Sequence, residues 1–128
     1  MKTVSLIGFS ISIFFVSCSD LNKNDDIAEF IPGTFIRYSR HEFGSEFDTV
    51  IITLQNKFFN QYKILRKWKY ERILDGVKLE PDYKIHTTSA TYDQKSTVLK
   101  EQETDNTYSF DPKQNLLFTG STKYQKLK

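Results

Sequence analysis

The chain is poor in the residues from which many small proteins build a covalent or metal framework. Its 128 residues include one cysteine, Cys18, and two histidines, His41 and His86. A single cysteine excludes a disulfide framework or a cysteine-rich zinc site within the chain. The net charge is only +2 at pH 7, so composition gives no reason to expect a nucleic-acid partner. The length leaves room for one domain.

Long hydrophobic runs are also absent, apart from one at the amino terminus. Lys2 precedes an apolar stretch from Val4 to Val16 that only serine and glycine interrupt. A transmembrane helix needs about 20 apolar residues, so this stretch is too short to span a bilayer comfortably. The pattern predicts a signal peptide over residues 1–17.

The sequence Phe15-Val16-Ser17-Cys18 ends that segment. It resembles the lipobox of bacterial lipoproteins, which implies cleavage before Cys18 and acylation of its sulfur. Two or three acyl chains would anchor the protein stably, since each buried methylene contributes about 0.8 kcal/mol. Cys18 is therefore predicted to be a lipidation site and not a nucleophile. An ordinary secretory signal followed by a free thiol, or an uncleaved anchor, is the alternative.

Residues 18–30 form a polar, acidic segment with no helical or strand period, and they are predicted to be a flexible stalk after the acylated cysteine. Ser19-Asp20 and the acidic residues behind it resemble the leader of Bacteroidetes-type surface lipoproteins. That resemblance implies a lipid anchor in the bacterial outer membrane, on its periplasmic or its cell-surface face.

Residues 31–128 carry the hydrophobic pattern of β-strands. Val50, Ile52 and Leu54 alternate with Thr49, Ile51 and Thr53, which suits a strand buried on one face and partly covered on the other, and a second alternating segment runs from Asn60 to Arg72. A helix over Gln55–Leu74 is the alternative, because several of its aromatic and aliphatic residues also recur at helical spacing. The β-branched and aromatic content and the Asp75-Gly76 turn signal favour a hairpin.

Turn signals at short intervals divide residues 31–128 into segments of strand length. Such spacing predicts an all-β fold, an antiparallel up-and-down meander that closes into a small barrel of about eight strands. The predicted strands are Thr34–Arg40, Asp48–Gln55, Phe59–Leu74, Val77–Leu79, Lys84–Tyr92, Thr97–Gln102, Thr107–Phe110, Leu116–Thr119 and Lys123–Leu127.

Two segments resemble a known family. Ile31-Pro32-Gly33-Thr34-Phe35 is similar to the Gly-x-Trp start of lipocalin-like barrels, with Phe35 in place of the tryptophan. The ending from Tyr108 to Phe118, followed by Tyr124, looks like the last hairpin of small lipocalin-like lipoproteins from the same bacterial group. The resemblance implies a lipocalin-like β-barrel domain over 31–128. No residue matches the C-terminal arginine that packs over the lipocalin tryptophan.

The strand after residue 60 also carries the best candidate for a binding site. With a period of two, Arg66 and Arg72 share a face with aromatic residues, while Lys63, Lys67 and Lys69 point outward. Two guanidinium groups on an aromatic face suit the carboxylate or phosphate end of an amphiphile. The alternative is that these arginines lie at the barrel rim, pack over an aromatic ring and pair with Glu42, Glu46 or Asp48. The predicted ligand-binding residues are Arg37, Tyr62, Arg66, Trp68, Tyr70 and Arg72.

Catalytic motifs are missing from the sequence. It has no Gly-x-Ser-x-Gly, no phosphate-binding glycine loop and no His-x-x-x-His pair, and the charges at His41, Glu42, Glu46, Asp48 and His86 match no defensible spacing. We therefore expect no enzyme, cofactor or metal. One hypothesis is a monomeric, lipid-anchored barrel whose internal cavity, reached by Trp68, binds a small apolar or amphipathic molecule. The other is a solid barrel whose lysine face docks an acidic envelope protein or an anionic surface polymer.

Overall fold

The computed structural model describes residues 26–127, so the predicted signal peptide, Cys18 and most of the predicted stalk lie outside the described residues. About two thirds of the described residues lie in strands and 5% in a helix. Its strands are β1 (Gly33–His41), β2 (Gly44–Asn56), β3 (Gln61–Leu74), β4 (Val77–Lys78), β5 (Asp82–Asp93), β6 (Val98–Glu101), β7 (Thr107–Asp111), β8 (Leu116–Thr119) and β9 (Thr122–Lys126).

The sheet closes on itself. Its order is β2-β1-β9-β8-β7-β6-β5-β3-β4, and an additional β2–β3 pairing joins the two sides into a closed antiparallel barrel of eight strands with β4 as an extra strand. Closure leaves few free edges, which is how small β-proteins avoid edge-to-edge pairing. The predicted all-β, up-and-down barrel is confirmed.

The helical alternative for Gln55–Leu74 is wrong. β3 pairs with β2 from Gly44 opposite Arg72 to Leu54 opposite Tyr62, and with β5 on its other side. Both edges of the strand are hydrogen-bonded, and a helix in this position would lack these pairings with β2 and β5. At its end, Asp75 and Gly76 have φ values of 51° and 81°, as the two central residues of a type I′ hairpin turn require.

One end of the barrel, here called the closed end, is covered by the beginning of the described chain. Residues 26–30 form a helical turn that packs Ile27, Ala28 and Phe30 against the core. The predicted boundary at residue 31 is therefore wrong for residues 26–30, which belong to the domain and not to a flexible stalk. Five residues are too few for a helical period to appear in the sequence. The buried core comprises Ile31, Phe35, Val50, Ile52, Tyr62, Ile64, Ala90, Tyr92, Leu99, Tyr108, Leu117 and Tyr124.

Lys126 joins the last strand to this helical turn. Its ammonium donates a hydrogen bond of 2.6 Å to the carbonyl of Phe30 and lies 4.3 Å from the ring centroid of that residue and 5.6 Å from that of Phe35. Burial lowers the pKa of Lys126. Gly33, which a Cβ atom would bring within 2.5 Å of the flexible Lys126 side chain, has a φ of 150°, and this backbone conformation favours glycine.

The other end of the barrel, the mouth, has walls of unequal height. β1, β2, β3 and β5 have 9, 13, 14 and 12 residues, whereas β6 to β9 have only 4 or 5. β9 pairs only with Phe35 and Ile36 of β1, and β6 only with Ala90–Asp93 of β5. The long strands therefore extend past the short wall as a sheet, here called the arm, made of residues 36–41, 44–49, 67–72 and 82–87.

Within residues 26–127, no helix is both long and apolar enough to cross a membrane.

Candidate functional site at the barrel mouth

The inner face of the arm brings charged and aromatic residues into register above the core. Trp68 of β3 lies opposite Asp48 of β2 and Lys84 of β5. Arg66 lies opposite His86 in the neighbouring row. Since side chains alternate across a strand, these five residues point to the interior side, while Lys63, Lys67 and Lys69 point outward, as the period of two predicts.

The floor of the mouth is a hydrogen-bonded group of three side chains. The Asp48 carboxylate accepts a bond of 2.7 Å from the Tyr124 hydroxyl and one of 3.3 Å from the Arg66 guanidinium. Arg66 also donates to the Tyr124 oxygen at 3.1 Å. Burial, followed by the bond to Asp48, raises the pKa of Tyr124 to about 12, so this hydroxyl is a stable donor at neutral pH. Asp48 Oδ1 has no hydrogen-bond partner among the described residues.

A second hydrogen-bonded group fills the interior beside the short wall. The Tyr108 hydroxyl donates to Glu101 at 2.5 Å, and the same carboxylate accepts bonds from Thr104 and Asn106. Burial raises the pKa of Tyr108, and its bond to Glu101 raises it further. Tyr108 and Tyr124 are almost wholly buried, at 0% and 2% exposure. Protein side chains therefore occupy this level of the barrel, where the ligand-binding hypothesis expects a continuous internal cavity.

Above this floor lies an open cleft of about 350 Å³. Its aromatic wall is Trp68, whose ring stacks on Tyr70 with centroids 5.6 Å apart and planes 7° from parallel. The Lys84 ammonium lies 5.2 Å from the centroid of the Trp68 ring. A cation over an aromatic face is suited to hold an anionic group against an apolar surface. The cleft is lined by Asp48, Arg66, Trp68, Lys84 and His86.

Each of the three predicted arginines forms an ion pair, as the rim alternative expects. Arg66 pairs with Asp48 at 3.3 Å and Arg37 with Glu46 at 3.6 Å. Arg72 pairs at 3.1 Å with Asp82, a partner that the sequence did not suggest.

Lys84 is the cation of the cleft that lacks such a partner. Among the described residues, no carboxylate oxygen lies within 4.0 Å of its ammonium. The arginines of this face are each compensated by a carboxylate, so Lys84 contributes the uncompensated positive charge of the inner face.

The structure brings together only part of the predicted set. Arg66 and Trp68 line the cleft, and Tyr70 supports Trp68. Arg37 lies opposite Asp48, in the same row as Trp68 but outside the cleft lining, and Arg72 lies farther along the arm. The prediction that Tyr62 shares the site with Trp68 is corrected, because Tyr62 is a core residue of the closed end with 4% exposure. It shares the inward face of β3 with Trp68, but six residues along a strand separate the two by about 20 Å.

Sequence reasoning missed Lys84 as a site residue and weighed His86 only as a weak metal ligand. Their alternation along β5 was visible in the sequence, but nothing there fixed the register that sets them opposite Trp68 and Arg66. Within residues 26–127, no group of three or more His, Cys, Asp or Glu side chains is placed to hold a metal ion.

Compared with protein-family models, with curated proteins and with solved structures, the chain has no significant match.

Proposed function

We propose that this protein is a lipid-anchored lipoprotein of the bacterial outer membrane that binds a small amphipathic molecule without a covalent step. The cleft at the mouth holds the carboxylate or phosphate end of the ligand, and Trp68 contacts its apolar part. The observation that carries the proposal is the uncompensated Lys84 ammonium beside the Trp68 ring. A cation without a carboxylate partner contributes little to stability, and it gives an anionic ligand a charge-assisted contact.

The composition of the cleft supports an amphipathic ligand over a purely apolar one. Arg66 and Asp48 are tied to each other and to Tyr124, so they form a fixed polar floor. A hydrocarbon chain on this floor would leave the Lys84 ammonium without compensation, whereas a ligand with one charged end matches both parts of the cleft. The barrel interior below is occupied, so the proposed ligand lies on the core and not within it.

The anchor part of the proposal depends on Cys18 and the segment before it. Its support is the lipobox-like sequence and the position of residues 26–30, which place the amino-terminal end of the described chain at the closed end, away from the cleft. A tether there leaves the mouth accessible. A lipocalin-like relationship is also proposed, and Lys126 supports it because this cation lies over Phe35, where lipocalin-like barrels place an arginine over a tryptophan.

Fluorescence of Trp68, the only tryptophan of the chain, tests the binding proposal. Titration with dodecanoate is expected to change its emission, and dodecanol is expected to bind more weakly. The Lys84→Gln variant should lose about tenfold in dodecanoate affinity while its dodecanol affinity stays constant, because a charge-assisted hydrogen bond contributes about 1.5–3 kcal/mol. Lys100→Gln, which removes an exposed lysine from the outside of β6, is the matched control. Equal dodecanoate affinity in Lys84→Gln and the unmodified protein would refute the proposal.

A second candidate function uses the outside of the barrel. The filled interior fits a solid interaction module, and Lys67 and Lys69 line a groove of about 450 Å³ on the outer face of the arm. In this alternative the face docks an anionic partner in the envelope. Reversal of Lys63, Lys67 and Lys69 to glutamate should then remove a co-purifying partner and leave the circular dichroism unchanged. Retention of the same partners by the reversed protein would argue against it.

A further inference from the structure

The arm reverses the usual distribution of apolar side chains between the two faces of a sheet. Around the rest of the barrel, many outward positions are polar, such as Lys100, Thr107, Ser109, Lys123 and Gln125, and the outward apolar residues Ile51, Leu65, Leu116 and Phe118 are only partly exposed. On the arm the inward positions carry the charges of the cleft and the Arg37–Glu46 and Arg72–Asp82 ion pairs, and the outward positions carry large apolar groups beside lysines. Those outward groups are Ile36, Tyr38, Phe47, Tyr83 and Ile85, with 39%, 55%, 37%, 66% and 69% of their surface exposed.

Strand register gathers these side chains into two adjacent rows across β1, β2, β3 and β5. One row is Tyr38, Phe47, Lys69 and Tyr83, and the next is Ile36, Thr49, Lys67 and Ile85. We call these eight residues the outer face. Contiguous exposed apolar side chains of this kind mark interaction sites, because a soluble surface gains nothing from them.

Lysines lie in the middle of the outer face and not at its margin. The Lys69 ammonium lies 5.4 Å from the Phe47 ring centroid and 5.9 Å from that of Tyr83. Lys69 is paired with Glu71, whereas Lys67 has no carboxylate oxygen within 4.0 Å among the described residues. The groove on this face is lined by lysines and apolar groups and by no acidic side chain. Its occupant must therefore offer both negative charge and apolar surface.

That arrangement distinguishes between two classes of partner. The centre of a protein–protein interface is depleted in lysine, because a desolvated ammonium needs a dedicated partner. The headgroup region of a bilayer accepts lysine and tyrosine side by side, with ammonium groups at the phosphates and rings at the edge of the acyl chains. Interleaved lysines and rings thus favour a lipid surface over a protein.

The chain before the described residues is long enough for such contact. Asp26 is eight positions after Cys18, and an extended chain covers up to about 3.6 Å per position, so the tether spans at most about 29 Å. A barrel held by an anchor at Cys18 could therefore lie with its side against the same membrane.

We infer that the outer face docks on an anionic phospholipid surface, so that the barrel lies on its side with the cleft facing away from the lipid. The inference rests on the second candidate function, an anionic partner for the lysine-bearing face, and it names that partner as the bilayer.

The test uses the full acylated chain in vesicles and a polarity-sensitive dye on an introduced cysteine. Ile85→Cys places the dye on the outer face, and Ser109→Cys places it on the opposite wall, on β7. In vesicles of phosphatidylglycerol and phosphatidylcholine that contain brominated lipid, quenching is expected at position 85 and not at position 109. In phosphatidylcholine alone, quenching at position 85 should fall sharply. Equal quenching at the two positions, or none at either, would overturn the inference, and the second of these outcomes would favour an acidic protein as the occupant.

Charge variants distinguish lipid contact by the outer face from a general electrostatic attraction of the barrel to the anionic vesicle. Lys67→Gln with Lys69→Gln should lower the docking constant about 30-fold, since each lysine near an anionic surface contributes about 1 kcal/mol. Lys100→Gln with Lys123→Gln removes the same charge from other walls and should leave docking nearly constant. Equal losses in both double variants would refute the outer face as the docking surface. Two measurements test the other proposals separately. Retention of the protein on phosphatidylcholine vesicles tests the lipid anchor, and titration with dodecanoate tests binding in the cleft.

Discussion

At the closed end of the barrel, inward-facing side chains are apolar and packed under the helical turn, whereas at the mouth the same strands turn charged groups inward. The change occurs within one strand, because β3 presents Tyr62 and Ile64 to the core and then Arg66 and Trp68 to the cleft. A buried ion pair contributes little net stability compared with apolar packing of the same volume. The contrast therefore assigns packing stability to the closed end, and our proposal places binding at the mouth.

The largest expected effect is at the closed end. Phe35 is fully buried, with its ring 5.7 Å from that of Phe30 and 6.0 Å from that of Phe110. Phe35→Ala should lower the free energy of unfolding by about 3–5 kcal/mol, because it leaves a cavity among aromatic rings. Phe58→Ala, at a position with 90% exposure, is the matched control and should change it by less than about 0.5 kcal/mol. Urea unfolding measures both, and similar losses would remove the distinction between packed and exposed rings.

A smaller effect is expected at the floor of the mouth. Asp48→Ala should lower the free energy of unfolding by about 2 kcal/mol, since it leaves the Tyr124 hydroxyl without its acceptor and the Arg66 guanidinium without its carboxylate partner. Replacing both charges, with Asp48→Leu and Arg66→Met, should recover most of that loss. A double variant less stable than Asp48→Ala would show that the floor contributes stability as the closed end does.

Alkaline pH should lower the free energy of unfolding gradually, by removing the proton of a tyrosine in the floor of the mouth. The folded state raises the pKa of Tyr124 from its ordinary value of 10.0 to about 12. A raised pKa means that the unfolded chain loses this proton first, so stability is complete below pH 10 and declines as pH rises toward 12. Urea midpoints at increasing pH should fall over this interval, and by less in Tyr124→Phe. An equal fall in Tyr124→Phe would assign the decline to other groups, of which Tyr108 is the first to test because its pKa is also raised.

Much of the fold could be predicted from the sequence, because alternation and turn residues are local signals. All nine predicted strands correspond to observed ones, and the outward lysines of β3 were predicted from the period alone. The helical turn at residues 26–30 was missed because its apolar residues are visible as a core segment only once Phe35 and Phe110 lie beside them. A single helical turn is too short to show a helical period in the sequence.

The site could be predicted only on one strand. Arg66 and Trp68 were found because they share β3, whereas Lys84 comes from β5 and its relation to Trp68 depends on register. Register is set by the whole barrel, including the β1–β9 closure, and no local pattern encodes it. The exposed apolar surface of the arm could not be predicted for the same reason. Tyr38, Phe47 and Tyr83 are ordinary strand residues in the sequence, and only the register of the strands places them side by side.

The most direct test of a structural closed end and a binding mouth is a two-dimensional NMR titration of the protein with dodecanoate. If the mouth binds the ligand, the Trp68 indole N–H and the backbone amides of Lys84 and His86 will show concentration-dependent shifts, with little change at Tyr62, Tyr92 and Leu117. Shifts centred on those three core residues, with the Trp68 signal unmoved, would contradict this prediction.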